Sequence, residues 1–287
     1  TTHRFILCGS SARKLKRDHA HLLGGRAMRR ELFPLVSAEV PGFSLERALN
    51  DGLLPPHYAS ADARDRLEAY VGDYLREEIA AEALTRNVPA FSRFLEVAAL
   101  SNGEMVEYAS IARECAVSGP TVRSYFEILQ DTLLGRFVPA FRKRPKRRVV
   151  LAPKFYYFDV GVAGHLTRRG IVAPRSELFG RALEHFIFME LTAHSSYSGQ
   201  KYPIAYWRTA SQIEVDFVLG DHEVALEVKG VESAQEHHAR ALRAFGEEYA
   251  TKRRILVTCD PRPRRLEDGI EVFPWKEFLQ QLWAGQI

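Results

Sequence analysis

Two short runs near the C-terminal end, Glu214–Leu219 and Val224–Lys229, constrain this chain more than any other stretch, because only Gly220-Asp221-His222-Glu223 separates them. A link of that length and composition joins antiparallel strands. Folding about the Asp221–His222 pair sets Asp216 opposite Glu227 and Glu214 opposite Lys229, with Val215/Val228 and Phe217/Leu226 as apolar pairs on the other face. Opposed residues hold their Cβ atoms about 4.5–5.5 Å apart. Two carboxylates that close repel unless a cation or a proton lies between them. The register therefore predicts a divalent-cation site at Asp216 and Glu227 with Lys229 beside it. The competing reading is a solvated strand face on which Glu214 and Lys229 form a simple ion pair.

A chain of 287 residues is long enough for two or three domains, each with its own core. Its net charge of +4 is too mild to argue for a nucleic-acid partner by itself. Cys8, Cys115 and Cys259 are scattered and make neither a CxxC nor a Cys/His metal spacing. Such a set suits free thiols in a reducing compartment. No apolar run approaches the roughly 20 residues needed to span a bilayer, and no signal-peptide pattern opens the sequence. The expectation is a cytoplasmic protein without a membrane partner.

Along the chain, Phe5–Cys8 reads as a buried strand followed by Gly9-Ser10-Ser11. A lone terminal strand makes no sheet, so a preceding segment is expected to be missing. Residues 31–60, with Pro34, Pro41, Pro55 and Pro56, read as connector, and a helical pattern follows to about Leu100. Tyr108–Ala116 and Thr121–Leu129 read as helices around the turn Val117-Ser118-Gly119-Pro120. Strands at Gly135–Phe141 and Val149–Phe158 flank Arg142–Arg148, where Arg142, Lys143, Arg144, Lys146, Arg147 and Arg148 are cationic. Helix, turn, helix and hairpin make a winged helix-turn-helix. Thr121, Arg123 and Ser124 would face a groove from its second helix, and the six tip cations would follow a phosphate backbone. The same tip could equally be a solvated loop. An apolar helix over Glu177–Ala193, the acidic hairpin, a helix over Ala234–Tyr249, the strand Arg254–Thr258 and a closing helix Lys276–Trp283 then make an α/β unit.

Asp216 followed by Glu227-Val228-Lys229, after a helix carrying Glu184, resembles the D…ExK motif of the PD-(D/E)xK nuclease-like superfamily. That resemblance implies catalytic Glu184, Asp216, Glu227 and Lys229, with Mg²⁺ held by Asp216, Glu227 and Glu184. Cys8–Ser11, Gly25-Arg26, Glu31–Leu35, Val117–Leu129, Pro153–Gly161, Ile213–Leu219 and Leu226–Gly230 carry a wider resemblance. In order and content the chain is similar to the C-terminal portion of predicted bacterial and archaeal AAA+ superfamily ATPases. Those combine a winged helix with a C-terminal domain of unknown function that has a restriction-endonuclease-like fold. Ser10 or Ser11 would then be a sensor position near the γ-phosphate of ATP. The sequence holds no G-x-x-x-x-G-K-[ST] phosphate loop, so ATP would belong to a full-length parent and the chain as it stands should not hydrolyse it.

The fold expected is multi-domain α/β. Residues 1–58 would be an ATPase remnant and connector, 59–158 a helical segment and winged helix, and 159–287 the nuclease-like domain. The expected function is a nucleic-acid-associated accessory portion of an AAA+ ATPase, with DNA as partner and homo-oligomerisation allowed. The alternatives are an active Mg²⁺-dependent DNA endonuclease and a protein-interaction module. His237-His238 is read as a surface pair, and Trp275 and Trp283 as packing residues.

Overall fold

The computed structural model describes residues 28, 30–74, 87–143 and 149–287. Phe5–Cys8, Ser10, Ser11, Arg26 and the tip residues Arg144, Lys146, Arg147 and Arg148 lie outside them. Among the described residues the architecture is mixed α/β, with two sheets.

The second half of the expected connector is built into the core. Ser44 caps a helix α1 (Leu45–Asp51), and Pro55 opens a single turn, α2 (Pro55–Tyr58). Leu45, Ala48 and Leu49 of α1 are buried, as are Leu53 and Tyr58 after it. Their spacing is helical, but the surrounding Pro and Gly residues hide it. A helix α3 (Ala63–Ala69) follows, ending in a wide turn over Tyr70–Tyr74.

Helix, turn, helix and a two-stranded ladder form where the winged helix was expected, with strands shorter than the expected Gly135–Phe141 and Val149–Phe158. Asn87 caps α4 (Val88–Leu100), and α5 (Tyr108–Cys115) ends where Ala116 adopts φ 53°. Ser118 accepts the Thr121 amide to start α6 (Gly119–Asp131). Strands β1 (Gly135–Val138) and β2 (Lys154–Tyr157) pair antiparallel, and Met105 bridges the far side of β2 at Lys154. An aromatic cluster holds these elements together, with Phe126 at 4.9 Å from Phe94 and 4.8 Å from Phe155 between ring centroids.

Asp159 caps the next helix, α7 (Val160–Leu166), and Ser176 caps α8 (Glu177–Tyr197), which runs one turn longer than expected. The sheet beyond uses β3 (Ile204–Arg208), β4 (Glu214–Leu219), β5 (Val224–Val228), β6 (Arg253–Thr258), β7 (Arg264–Arg265) and β8 (Glu271–Pro274). Their order is β3-β4-β5-β6-β8-β7. The first three are antiparallel, whereas β5, β6 and β8 run parallel. A parallel step needs a crossover, supplied by α9 (Arg240–Glu248) between β5 and β6. The chain closes with α10 (Trp275–Trp283). One sheet face packs on α8 and α10 through Phe186, Ile187, Phe278, Phe217, Leu226 and Ile255. The other packs on α9 through Leu242, Phe245, Val218, Ala225 and Leu256. β3, β7 and β8 were not foreseen from the sequence.

The wing is not a free hairpin. Its ladder stops at Val138↔Lys154, and both arms then turn onto the outer edge of β3. Phe141 donates its amide to the Tyr206 carbonyl at 2.6 Å, Tyr206 to Pro139 at 3.0 Å, and Val150 to Arg208 at 2.9 Å. An edge strand offers unpaired backbone groups, and the wing arms satisfy those of β3. Phe141 then inserts beside Phe245 and Tyr249 of the α9 layer.

Strand β2 serves two cores at once. Phe155 and Tyr157 point into the winged-helix core, while Tyr156 belongs to the core beneath α8 and stacks on Phe188 at 4.3 Å. The period of two along a strand thus joins the expected domains along the boundary drawn at residue 158.

Candidate acidic centre

The centre lies where β4 and β5 end beside α8, and a bulge shapes it. Ala205 pairs with Val218 but Trp207 with Val215, so β4 carries one residue more than β3 over this stretch. The extra residue rotates the strand. Val215 therefore packs with Val218 on the α9 side and Phe217 on the α8 side. The apolar face expected from Val215 and Phe217 together does not exist.

The last ladder partners of β4 and β5 toward the centre are Phe217 and Leu226. Beyond them, Asp216 Oδ2 accepts the Val228 amide at 2.8 Å, where a carbonyl would otherwise stand. Asp216 and Glu227 are both buried. They do not oppose each other as a ladder pair, yet the Asp216 charge bears on Glu227. Lys229 Nζ lies 2.6 Å from Glu227 Oε1. The expected Glu214–Lys229 pair is absent. Glu214 instead meets Arg208 at 2.8 Å and the ammonium of Lys154.

Lys154 is the residue that sequence reasoning missed. It comes from β2 of the winged helix, its side chain is 3% exposed, and its Nζ lies 3.5 Å from Glu184 Oε1 as well as against Glu214. Next on the same strand face, the Tyr156 hydroxyl donates to Glu184. No local pattern marks Lys154 as part of a site 30 to 75 residues further on. Its one signal is an alternating Lys-Phe-Tyr-Tyr strand with a cation on a face that must be buried. Glu184, Asp216, Glu227 and Lys229 do converge as the sequence suggested, with Glu184 reaching in from α8.

The electrostatics follow from burial and crowding. Burial pushes the Asp216 carboxyl up, and Glu184 adds to that against Lys229 and Lys154. Burial also raises Glu227, with Asp216 reinforcing it and Lys229 opposing. For Lys154 burial acts to lower proton affinity, but Glu184, Asp216 and Glu214 together overcome it and raise the pKa. Lys229 behaves in the same way, through Asp216 and Glu227. Both lysines are held as ammonium ions among four carboxylates.

Carboxylate oxygens are the right donors for Mg²⁺. Here, however, Lys229 takes Glu227 Oε1, the Val228 amide takes Asp216 Oδ2, and Tyr156 and Lys154 take Glu184. Among the described residues no group of three or more His, Cys, Asp or Glu side chains is placed to hold a metal ion. One buried oxygen, Glu227 Oε2, has no hydrogen-bond partner. With two ammonium groups occupying the centre, the residues as arranged do not fit the Mg²⁺ implied by the nuclease resemblance.

The other predicted site residues lie apart from this centre. On α6, Val122, Tyr125, Phe126 and Leu129 are buried while Arg123, Ser124 and Glu127 are exposed and Thr121 is half-buried. The Arg123 guanidinium rests 4.4 Å from the Tyr108 ring centroid. Arg142 and Lys143 at the wing root are exposed, and Lys143 pairs with Asp221. His237 is exposed on a short 3₁₀ turn, as read, whereas His238 is half-buried and its Nδ1 accepts the Gln235 amide at 2.8 Å.

A further buried carboxylate, Glu190, lies outside this centre and escaped the sequence reading. It accepts from the Ser37 amide at 2.7 Å, the Ser37 hydroxyl at 3.1 Å and Trp283 Nε1 at 2.6 Å. It thereby fastens the segment before α1 and the closing helix α10 to α8.

Among the described residues no helix is long and apolar enough to cross a membrane. No curated protein and no solved structure matches the chain. Residues 43–171, which contain the winged helix and its flanking helices, match a family described as a domain of unknown function (DUF8612). Residues 179–278, which contain most of α8 and the six-stranded sheet, match a second family described as a domain of unknown function (DUF4143).

Proposed function

We propose that this chain is a nucleic-acid-associated accessory portion of an AAA+ family ATPase, in which the winged helix contacts DNA and the nuclease-like unit braces it. The observation that carries the reading is the outward face of α6. The helix buries its apolar stripe and leaves Arg123 and Ser124 open to solvent, and the segment Arg142–Arg148 that follows β1 in sequence carries six cations. One arginine against Glu127 on that face favours backbone contact over base readout. The backbone bonds from Phe141 and Val150 to β3 support a seated pair of wing arms, with Arg142 exposed at the root of one of them.

The C-terminal unit contributes position under this reading, not bond cleavage. Its acidic residues are buried or half-buried and engaged by lysines, so their repulsion of phosphates is correspondingly reduced. The ATPase link rests on the stretches that resemble that superfamily, and ATP turnover belongs to a longer parent.

Fluorescence anisotropy with labelled duplex and four-way-junction DNA tests the proposal. Binding should be measurable at low salt and weakened at least about tenfold by Arg123→Glu combined with alanine at Arg142 and Arg147. Absence of binding at low salt, or binding indifferent to those changes, would overturn it.

A further inference from the structure

We propose that Lys154 is a tethered counterion: an ammonium group, supplied by the winged helix, that stands where a divalent cation would otherwise sit and keeps the acidic centre closed to metal. This goes beyond the DNA-contact reading and is tested without nucleic acid.

Three observations carry it. Lys154 is buried, its neighbours are Glu184 and Glu214, and no carboxylate of the winged helix is within ion-pair reach of it among the described residues. A buried ammonium is costly unless paired, so its position is explained by the carboxylates of the other unit. The lysine also reaches the centre from a strand whose alternate side chains fill the winged-helix core. Withdrawing it therefore means moving β2, and the closed state is built into the fold. Finally, Glu227 Oε2 is buried and unpartnered beside the cluster. It is the oxygen that a cation would engage once Lys154 no longer balances Glu184 and Glu214.

The consequence is specific. An ammonium 3.5 Å from a carboxylate repels any cation competing for that carboxylate, and burial leaves the repulsion weakly screened. Removing the lysine charge should open a cation site that the native chain lacks.

Mn²⁺ binding is measured by electron paramagnetic resonance and titration calorimetry on the native chain, Lys154→Met, Lys154→Arg, and Lys154→Met with Asp216→Asn. The native chain and Lys154→Arg should bind Mn²⁺ weakly or not at all. Lys154→Met should bind at least about tenfold more tightly, and the added Asp216→Asn should remove that gain. A native chain that binds Mn²⁺ as tightly as Lys154→Met, with loss on Asp216→Asn, overturns the proposal. A folded Lys154→Met protein with no gain also overturns it. Should Lys154→Met fail to fold, the melting temperature of the native chain decides. No shift with added Mn²⁺ supports closure, and a clear upward shift that Asp216→Asn abolishes refutes it.

Discussion

Replacing Glu190 with glutamine should make the protein less sensitive to rising pH, and the size of the effect can be worked from its surroundings. Glu190 is 1% exposed and accepts from Ser37 and Trp283. Those donors favour the anion, but burial outweighs them and lifts the carboxyl from 4.5 to about 7. A group whose folded pKa is raised contributes stability that is fully present below pH 4.5 and lost as pH climbs through about 7. At about 1.4 kcal/mol for each tenfold change in proton affinity, the loss is about 3 kcal/mol. Glutamine imitates the protonated side chain and has nothing to lose. His185 acts in the opposite sense over the same range, so the absolute pH profile hides the effect. The difference between native and Glu190→Gln proteins isolates it. Urea unfolding of both from pH 4 to pH 8 should show the difference moving by about 3 kcal/mol in favour of Glu190→Gln. A difference that stays level, or moves the other way, would refute the claim that burial prevails over the three donors.

Further tests follow from the same packing. Burial lowers His185 to about 4 while its Nε2 contacts the Tyr157 carbonyl at 2.7 Å; stability from this group is present above pH 6.5 and lost as pH falls through about 4, so His185→Gln should blunt acid unfolding by about 3 kcal/mol in chemical denaturation. A Cβ at Gly161 would lie 2.5 Å from the Gly52 amide nitrogen, whereas one at Gly170 meets nothing within 4 Å. Gly161→Ala should therefore cost about 1–3 kcal/mol and Gly170→Ala far less, and equal melting temperatures for the two would contradict that close approach.

How much of this was legible beforehand depends on whether the cause is local. Helices α5 and α6 were readable because Ser118, Pro120 and the apolar spacing around them act within a few residues. The hairpin register through Phe217 and Leu226 was readable for the same reason, as was the meeting of Glu184, Asp216, Glu227 and Lys229. The bulge in β4 was not, because it arises from pairing with β3, a strand without a clear alternation. Missing it put Val215 and Phe217 on one face. Lys154 was invisible as a site residue because its partners lie on α8 and β4. Its presence also redirects Glu214 away from Lys229. The Pro-rich stretch before Tyr58 looked like connector because turn residues mask the short apolar stripe Leu45, Ala48 and Leu49. Pro153–Gly161, quoted only for its resemblance, gains physical content: Lys154 and Tyr156 enter the acidic centre, Asp159 caps α7, and Gly161 allows the approach to Gly52.

The central functional claim is contact with a nucleic-acid backbone through the wing, and the salt dependence of binding tests it most directly. Affinity for a short duplex should be followed across a range of monovalent salt for the native chain and for a variant with alanine at Arg142, Arg144, Lys146, Arg147 and Arg148. The slope of log affinity against log salt should be about −3 or steeper for the native chain, at about −0.9 for each phosphate neutralised, and should flatten by at least about 2 in the variant. An unchanged slope, or native binding indifferent to salt, would contradict the account.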